Sequence, residues 1–269
     1  MITMSDSIRL HGFNNLTKSL SFNIYDVTYC KTPRQQEEYL DYIDEVFNAD
    51  KITRVLKEVA NIVDAHILNI AMQDYEPQGA SAAILISEEP VENFKMQAEE
   101  PGPVPSSVLA HLDKSHLTVH TYPESHPDNG ISTFRVDIEV STCGKISPLK
   151  ALNYLLHEFE SDVVTIDYRV RGFTRSEDGD KHFIDHEITS IQNFMDDEIG
   201  NMYDMVDMNF YDQRLFHTKM RAVDFDINEY LFGHDSSHYS ESELQDLEKR
   251  LKHEITEIFY SRRFPKNWV

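Results

Sequence analysis

The sequence predicts an α+β fold, a two-layer α/β sandwich in which an antiparallel sheet carries helices on one face, followed by a helix-rich C-terminal extension. Three observations lead there. Runs such as 133–141 alternate apolar and polar residues with the period of a half-buried strand. Helix patterns segregate from the strand patterns, and the last third holds a capping box ahead of a long apolar stripe.

Taken in order, Ser19 to Tyr29 alternates well enough for a strand, with Phe22, Ile24 and Val27 inward. Thr32-Pro33 opens a helix whose stripe is Tyr39, Ile43, Val46 and Phe47. A second helix, capped by Asn48 or Asp50, repeats Ile52, Val55, Leu56, Val59, Ile62 and Val63 at three-and-four spacing. Ala65 to Met72 reads as a strand, Tyr75-Glu76-Pro77-Gln78-Gly79 as a turn, and Ser81 to Ser87 as an apolar strand. Acidic residues with Pro90, Pro101, Pro103 and Pro105 make 88–107 a loop or flap. Leu117 to Tyr122 is a short strand ended by Pro123. After a polar turn, Phe134, Val136, Ile138 and Val140 alternate against Thr133, Arg135, Asp137 and Glu139. Ser147-Pro148 starts a helix along Leu149, Leu152, Leu156 and Phe159, and Val163 to Val170 is a further strand. Ser240 and Glu243 box the start of a helix through Leu244, Leu247, Leu251, Ile255 and Ile258, ending near Arg262. We expect a core over 1–174 and an extension over 175–269, packed on the core or at an oligomer interface.

A chain of 269 residues with 40% hydrophobic content can fill a sizeable core. Its net charge of −22, from 47 acidic and 25 basic residues, speaks against nucleic acid and anionic membranes as partners, since both need a basic footprint. No apolar stretch approaches the roughly 20 residues of a membrane-spanning helix. Two cysteines lie far apart, Cys30 and Cys143, and the amino end lacks a basic region followed by an apolar run. Together these predict a cytoplasmic protein with free thiols.

The chemistry concentrates between His111 and Glu124. A serine hydroxyl is a weak nucleophile that needs a base nearby, and histidine suits that task near pH 7. On a strand, His116, Thr118, His120 and Tyr122 share one face, and Leu117, Val119 and Thr121 share the other. One face carries chemistry while the other is core.

The run Lys-Ser-His-Leu-Thr-Val-His-Thr-Tyr-Pro-Glu over 114–124 resembles the processing site of the S-adenosylmethionine decarboxylases, pyruvoyl enzymes of polyamine synthesis. Leu10 to Leu16, Asp74 to Ser81, Ser141 to Gly144, Tyr168 to Arg175 and His182 to Glu187 fit too, so the likeness covers nearly the whole chain. It is similar to the longer type of Gram-negative bacteria.

That resemblance implies an autocatalytic cut at Lys114-Ser115, giving chains 1–114 and 115–269. Ser115 would become a pyruvoyl group, an electron sink acting through a Schiff base with the substrate's α-amine. His120 would assist elimination during processing, with Ser81 helping, and Cys143 would protonate the α-carbon. Glu124 would accept hydrogen bonds from the ribose, and Tyr75 and Tyr122 would lie beside the adenine and the sulfonium, where a ring face attracts a cation. The resemblance also implies a homo-oligomer of cleaved two-chain protomers, activated by magnesium through ligands the sequence does not identify. Outside the motif, such a serine, histidine or thiol is ordinarily a local hydrogen bonder or a packing group.

A rival reading is a metal-dependent hydrolase. Thirteen histidines include His111, His116, His120 and His126 in one segment. On a helix, His182 and His186 would share a face and could hold zinc with a carboxylate such as Asp185 or Glu187. A third reading is a binding module that docks partners through its carboxy-terminal helix.

Overall fold

Long period-two runs in this sequence have one outlet for their backbone polar groups, which is pairing with one another. A computed structural model, which describes residues 8–88, 115–126 and 129–265, brings eight strands into one antiparallel sheet. These are β1 (Thr17–Tyr29), β2 (His66–Asp74), β3 (Ala80–Ser87), β4 (His116–Ser125), β5 (Ile131–Cys143), β6 (Val163–Arg171), β9 (Tyr203–Asp207) and β10 (Leu215–Ala222). Their spatial order is β2-β3-β4-β5-β1-β6-β10-β9. A small hairpin of β7 (Thr174–Arg175) and β8 (Lys181–His182) lies apart. The predicted flap, apart from Glu88, and both His111 and Lys114 lie outside the described residues.

One face of the sheet is mostly apolar, with Leu20, Phe22 and Ile24 of β1 beside Val136, Ile138 and Val140 of β5. Helices α1 (Pro33–Val46) and α2 (Ala49–Ile62) cover it. Thr32 caps α1 in a capping box with Gln35, and Asn48 caps α2, which settles the choice between Asn48 and Asp50. The segment after Ser147-Pro148 starts as one 3-10 turn and continues as α3 (Leu152–Glu158), burying Leu152, Leu155 and Leu156. This is the expected antiparallel sheet with helices on one face.

Residues beyond 174 extend the same sheet. They supply β9 and β10, a short helix α4 (Asp197–Met202), and α5 (Glu241–Tyr260), whose Ser240–Glu243 capping box is formed. α5 lies over one corner of the opposite face. Its Leu251, Ile255 and Phe259 pack with Val27, Ile131, Val163 and Tyr230 in a second apolar cluster. Among the described residues no helix is long and apolar enough to cross a membrane.

Asp26 of β1 is set against the apolar layer. Burial, reinforced by the nearby Asp162 charge, raises its carboxyl to about 7. Burial likewise raises Asp162 to about 6, although Tyr230 Oη and the Val27 N–H donate to it at 2.6 Å and 2.7 Å. Between the usual value near 4 and about 7, folded Asp26 keeps a proton that the unfolded chain releases, so stability falls as pH rises through that window. Asp26→Asn is expected to stabilise the protein at pH 8 by about 2 kcal/mol, half the full shift because the side chain is partly exposed. The gain should vanish at pH 4. Thermal melts of both proteins at the two pH values check it.

Candidate active site

Ser115 enters β4 from a segment outside the described residues, and two strands fix it. Its carbonyl accepts the Ile86 N–H of β3 at 2.9 Å, and its buried Oγ accepts the Cys143 N–H of β5 at 3.0 Å. Twenty-eight positions apart in sequence, these two predicted residues are neighbours. Cys143 is an exposed free thiol whose Sγ lies 3.9 Å from Thr17 Oγ1. The turn behind it is held by Gly144, at φ +71°, whose N–H donates to the Leu16 carbonyl at 3.1 Å.

Other predicted residues gather further along β4. Register pairs His120 with Ser81 on one side and with Asp137 on the other. Ser81 Oγ and Tyr75 Oη share a hydrogen bond of 2.7 Å. The turn between them requires a glycine: at Gly79, φ is +92°, and a Cβ would stand 2.7 Å from the Thr121 carbonyl oxygen. The His120 and Tyr122 rings are parallel within 24° at a centroid distance of 6.3 Å. Tyr122 and Glu124 line a cavity of about 270 Å³.

The predicted residues therefore form two groups. Ser115 and Cys143 make one, and Tyr75, Ser81, His120, Tyr122 and Glu124 make the other. Five residues of strand separate Ser115 from His120, about 16 Å. That is beyond proton-transfer distance within one chain.

Sequence reasoning did not single out Arg135 and Asp137. Arg135 donates to Asp137 at 2.7 Å and places its guanidinium 4.2 Å over the Tyr122 ring. Arg135 Nε and Asp137 Oδ1 are buried with no hydrogen-bond partner among the described residues. Charged side chains on a half-buried strand were the available signal, but only register puts Asp137 across from His120.

His182 and His186 do not share a helix; the first is in β8 and the second in a bend. His186 uses both ring nitrogens, with Asp185 at 2.8 Å and with the Tyr168 hydroxyl at 3.1 Å. Asp185 also accepts from buried Lys18 at 2.8 Å and from Asn14 at 2.8 Å. Despite its partial burial, these donors and the Lys18 charge hold its carboxyl well below the usual range. The cluster is an ion-pair clasp on the start of β1. Among the described residues no three His, Cys, Asp or Glu side chains are grouped to hold a metal ion, so the hydrolase reading has no support.

Residues 44–172 match the family model described as S-adenosylmethionine decarboxylase. The S-adenosylmethionine decarboxylase proenzyme of Chromohalobacter salexigens is 61% identical, over 96% of this chain and 99% of its own length. The chain belongs to the S-adenosylmethionine decarboxylase family. Two further family members carry the same proenzyme name. That of Alcanivorax borkumensis is 60% identical over 95% of this chain and 93% of its own, and that of Azotobacter vinelandii 59% over 97% and 100%. A solved adenosylmethionine decarboxylase from Aquifex aeolicus superposes with a TM-score of 0.31 at 15% identity, over 59% of this chain and 90% of that one. So loose a likeness bears no weight beside the sequence matches.

Proposed function

We propose that this chain is a proenzyme that cuts itself at Lys114-Ser115 and then decarboxylates S-adenosylmethionine, supplying the aminopropyl donor for spermidine synthesis. The observation that carries the reading is the Ser115–Cys143 pair: the residue to be converted and the residue to protonate the product meet at one end of the sheet. In self-processing, Ser115 Oγ attacks the Lys114 carbonyl carbon, and the acyl group moves from nitrogen to oxygen. The Cα proton of Ser115 is then removed, its Cβ–Oγ bond breaks so that Lys114 leaves as a C-terminal carboxylate carrying that oxygen, and hydrolysis of the resulting dehydroalanine releases ammonia.

Ser115 suits conversion into a pyruvoyl group, because its hydroxyl and carbonyl are both held by backbone N–H groups of neighbouring strands, one of them that of Cys143. That group supplies the electron sink for loss of carbon dioxide. Cys143 gives a proton to the α-carbon in place of the carbon dioxide it has lost. Glu124 accepts from the ribose, while Tyr75 and Tyr122 offer ring faces to the adenine and sulfonium. The free thiols fit the expected cytoplasmic setting. The expected magnesium activation has no ligand set among the described residues.

His120 stands about 16 Å from Ser115 of its own chain. Its processing role therefore belongs to a second copy, which agrees with the expected homo-oligomer. An isologous pairing through the open face of β3, β4 and β5 would put the Ser81–His120 group of one protomer against Ser115 of the other. Two inactive variants test this. Ser115→Ala and His120→Ala chains, each separately tagged, are co-expressed and their hetero-oligomer is purified. One site per pair then keeps both residues, so the His120→Ala chain should be cut and about half of the parent activity should return. A hetero-oligomer that remains uncut and inactive would refute the shared site.

A further inference from the structure

α5 buries the stripe Leu247, Leu251, Ile255 and Phe259, the last three of which anchor the helix in the second apolar cluster. Glu254 and Ile258 lie beside that stripe, one helical turn apart, as the 3.6-residue period requires. They form the helix wall of the 270 Å³ cavity whose strand wall carries Tyr25, Tyr122, Glu124 and Arg135. The C-terminal third thus reaches the cavity to which substrate-binding residues are assigned. We propose that Glu254 is a substrate-binding residue, a second carboxylate that accepts a hydrogen bond from the substrate's ribose while Glu124 accepts another.

The proposal rests on the reading of the site given above. Its physical basis is a half-buried carboxylate on the wall of that cavity, close enough to Glu124 to feel its charge. Burial, and then the charges of Glu257 and Glu124, raise the Glu254 carboxyl; His253 opposes them only partly. A half-buried carboxylate crowded by like charges gains from an arriving hydroxyl that donates to it. The chemical class follows from the other walls. Vicinal hydroxyls satisfy two carboxylates, and aromatic faces take a flat base or a sulfonium. Arg135 covers one face of Tyr122 and the His120 ring lies nearly parallel to it, so the ligand meets what remains exposed of Tyr122 and the Tyr25 ring. At about 270 Å³ the cavity is smaller than a complete ligand pocket of about 300–1,000 Å³, so it takes part of the substrate and not the whole.

The test compares parent protein with Glu254→Gln, after intact mass has established how far each has been processed. Steady-state kinetics should show KM for S-adenosylmethionine raised about tenfold with kcat within a factor of about three, the pattern of lost binding. Calorimetry with 5′-methylthioadenosine and its 2′-deoxy and 3′-deoxy forms supplies a readout independent of turnover. The parent should bind the ribonucleoside about tenfold tighter than at least one deoxy form, and Glu254→Gln should lose that preference. A folded, processed Glu254→Gln variant with unchanged KM and unchanged preference would overturn the proposal. If Gln at 254 prevents folding, Glu254→Asp is measured in the same way, and an unchanged KM and preference would again count against it. An uncut parent would instead mark failure of the self-processing reading, so the two failures are distinct.

Discussion

Replacing Ser115 with alanine is expected to leave a single full-length chain and to lower decarboxylation by on the order of 10⁵-fold or more, since neither nucleophile nor electron sink remains. The fold should survive. Ser115 contributes one buried hydroxyl, and its carbonyl bond to the Ile86 N–H is backbone and persists. What is lost is the acceptor for the Cys143 N–H, worth about 1–2 kcal/mol when a buried donor is left unmet. Denaturing mass, a decarboxylation assay and a thermal melt together check this. A Ser115→Ala protein that is still cut at that position would remove Ser115 from the chemistry.

Cys143→Ala should behave differently, because the bond that holds Ser115 Oγ comes from the backbone N–H of residue 143 and not from its thiol. Alanine keeps that N–H. Self-cleavage should proceed, while kcat falls about 10²–10³-fold for want of a positioned proton donor. Gel analysis of the two chains and the kcat of the cut protein separate the effects. Parent-like turnover, or failure to cut, would contradict the assigned role. The Sγ···Thr17 Oγ1 approach of 3.9 Å is the thiol's one polar contact among the described residues, so its loss should cost little stability.

Much of the frame could be read from periodicity. In β4 and β5 apolar and polar residues alternate over most of their length and, although β4 does not end at Pro123 as expected but continues to Ser125 with Pro123 paired to Phe134, both strands were predicted. β10 was not. Thr218 occupies the centre of its buried face, satisfied by Asp207 at 2.7 Å, which leaves Phe216 and Met220 as the apolar core positions of β10, too few to mark a strand. Short β9 has too few residues to show a period.

At the site, residue types were legible and their grouping was not. Ser115 and Cys143 meet only because β4 and β5 pair in one particular register. The separation of Ser115 from His120 follows from five residues of strand rise, yet a motif suggests that its members act together. Glu254 gave no signal at all, since a glutamate on the polar flank of an amphipathic helix reads as a solvated charge.

The central claim is that Lys114-Ser115 is cut by the chain itself. Its most direct test is denaturing intact mass of freshly purified parent protein, with sequencing of the fragments. The account predicts two polypeptides, 1–114 and 115–269, the second blocked at its amino end and lighter than its encoded composition by the nitrogen lost as ammonia. One unprocessed species of 31.3 kDa that nevertheless decarboxylates S-adenosylmethionine would contradict it.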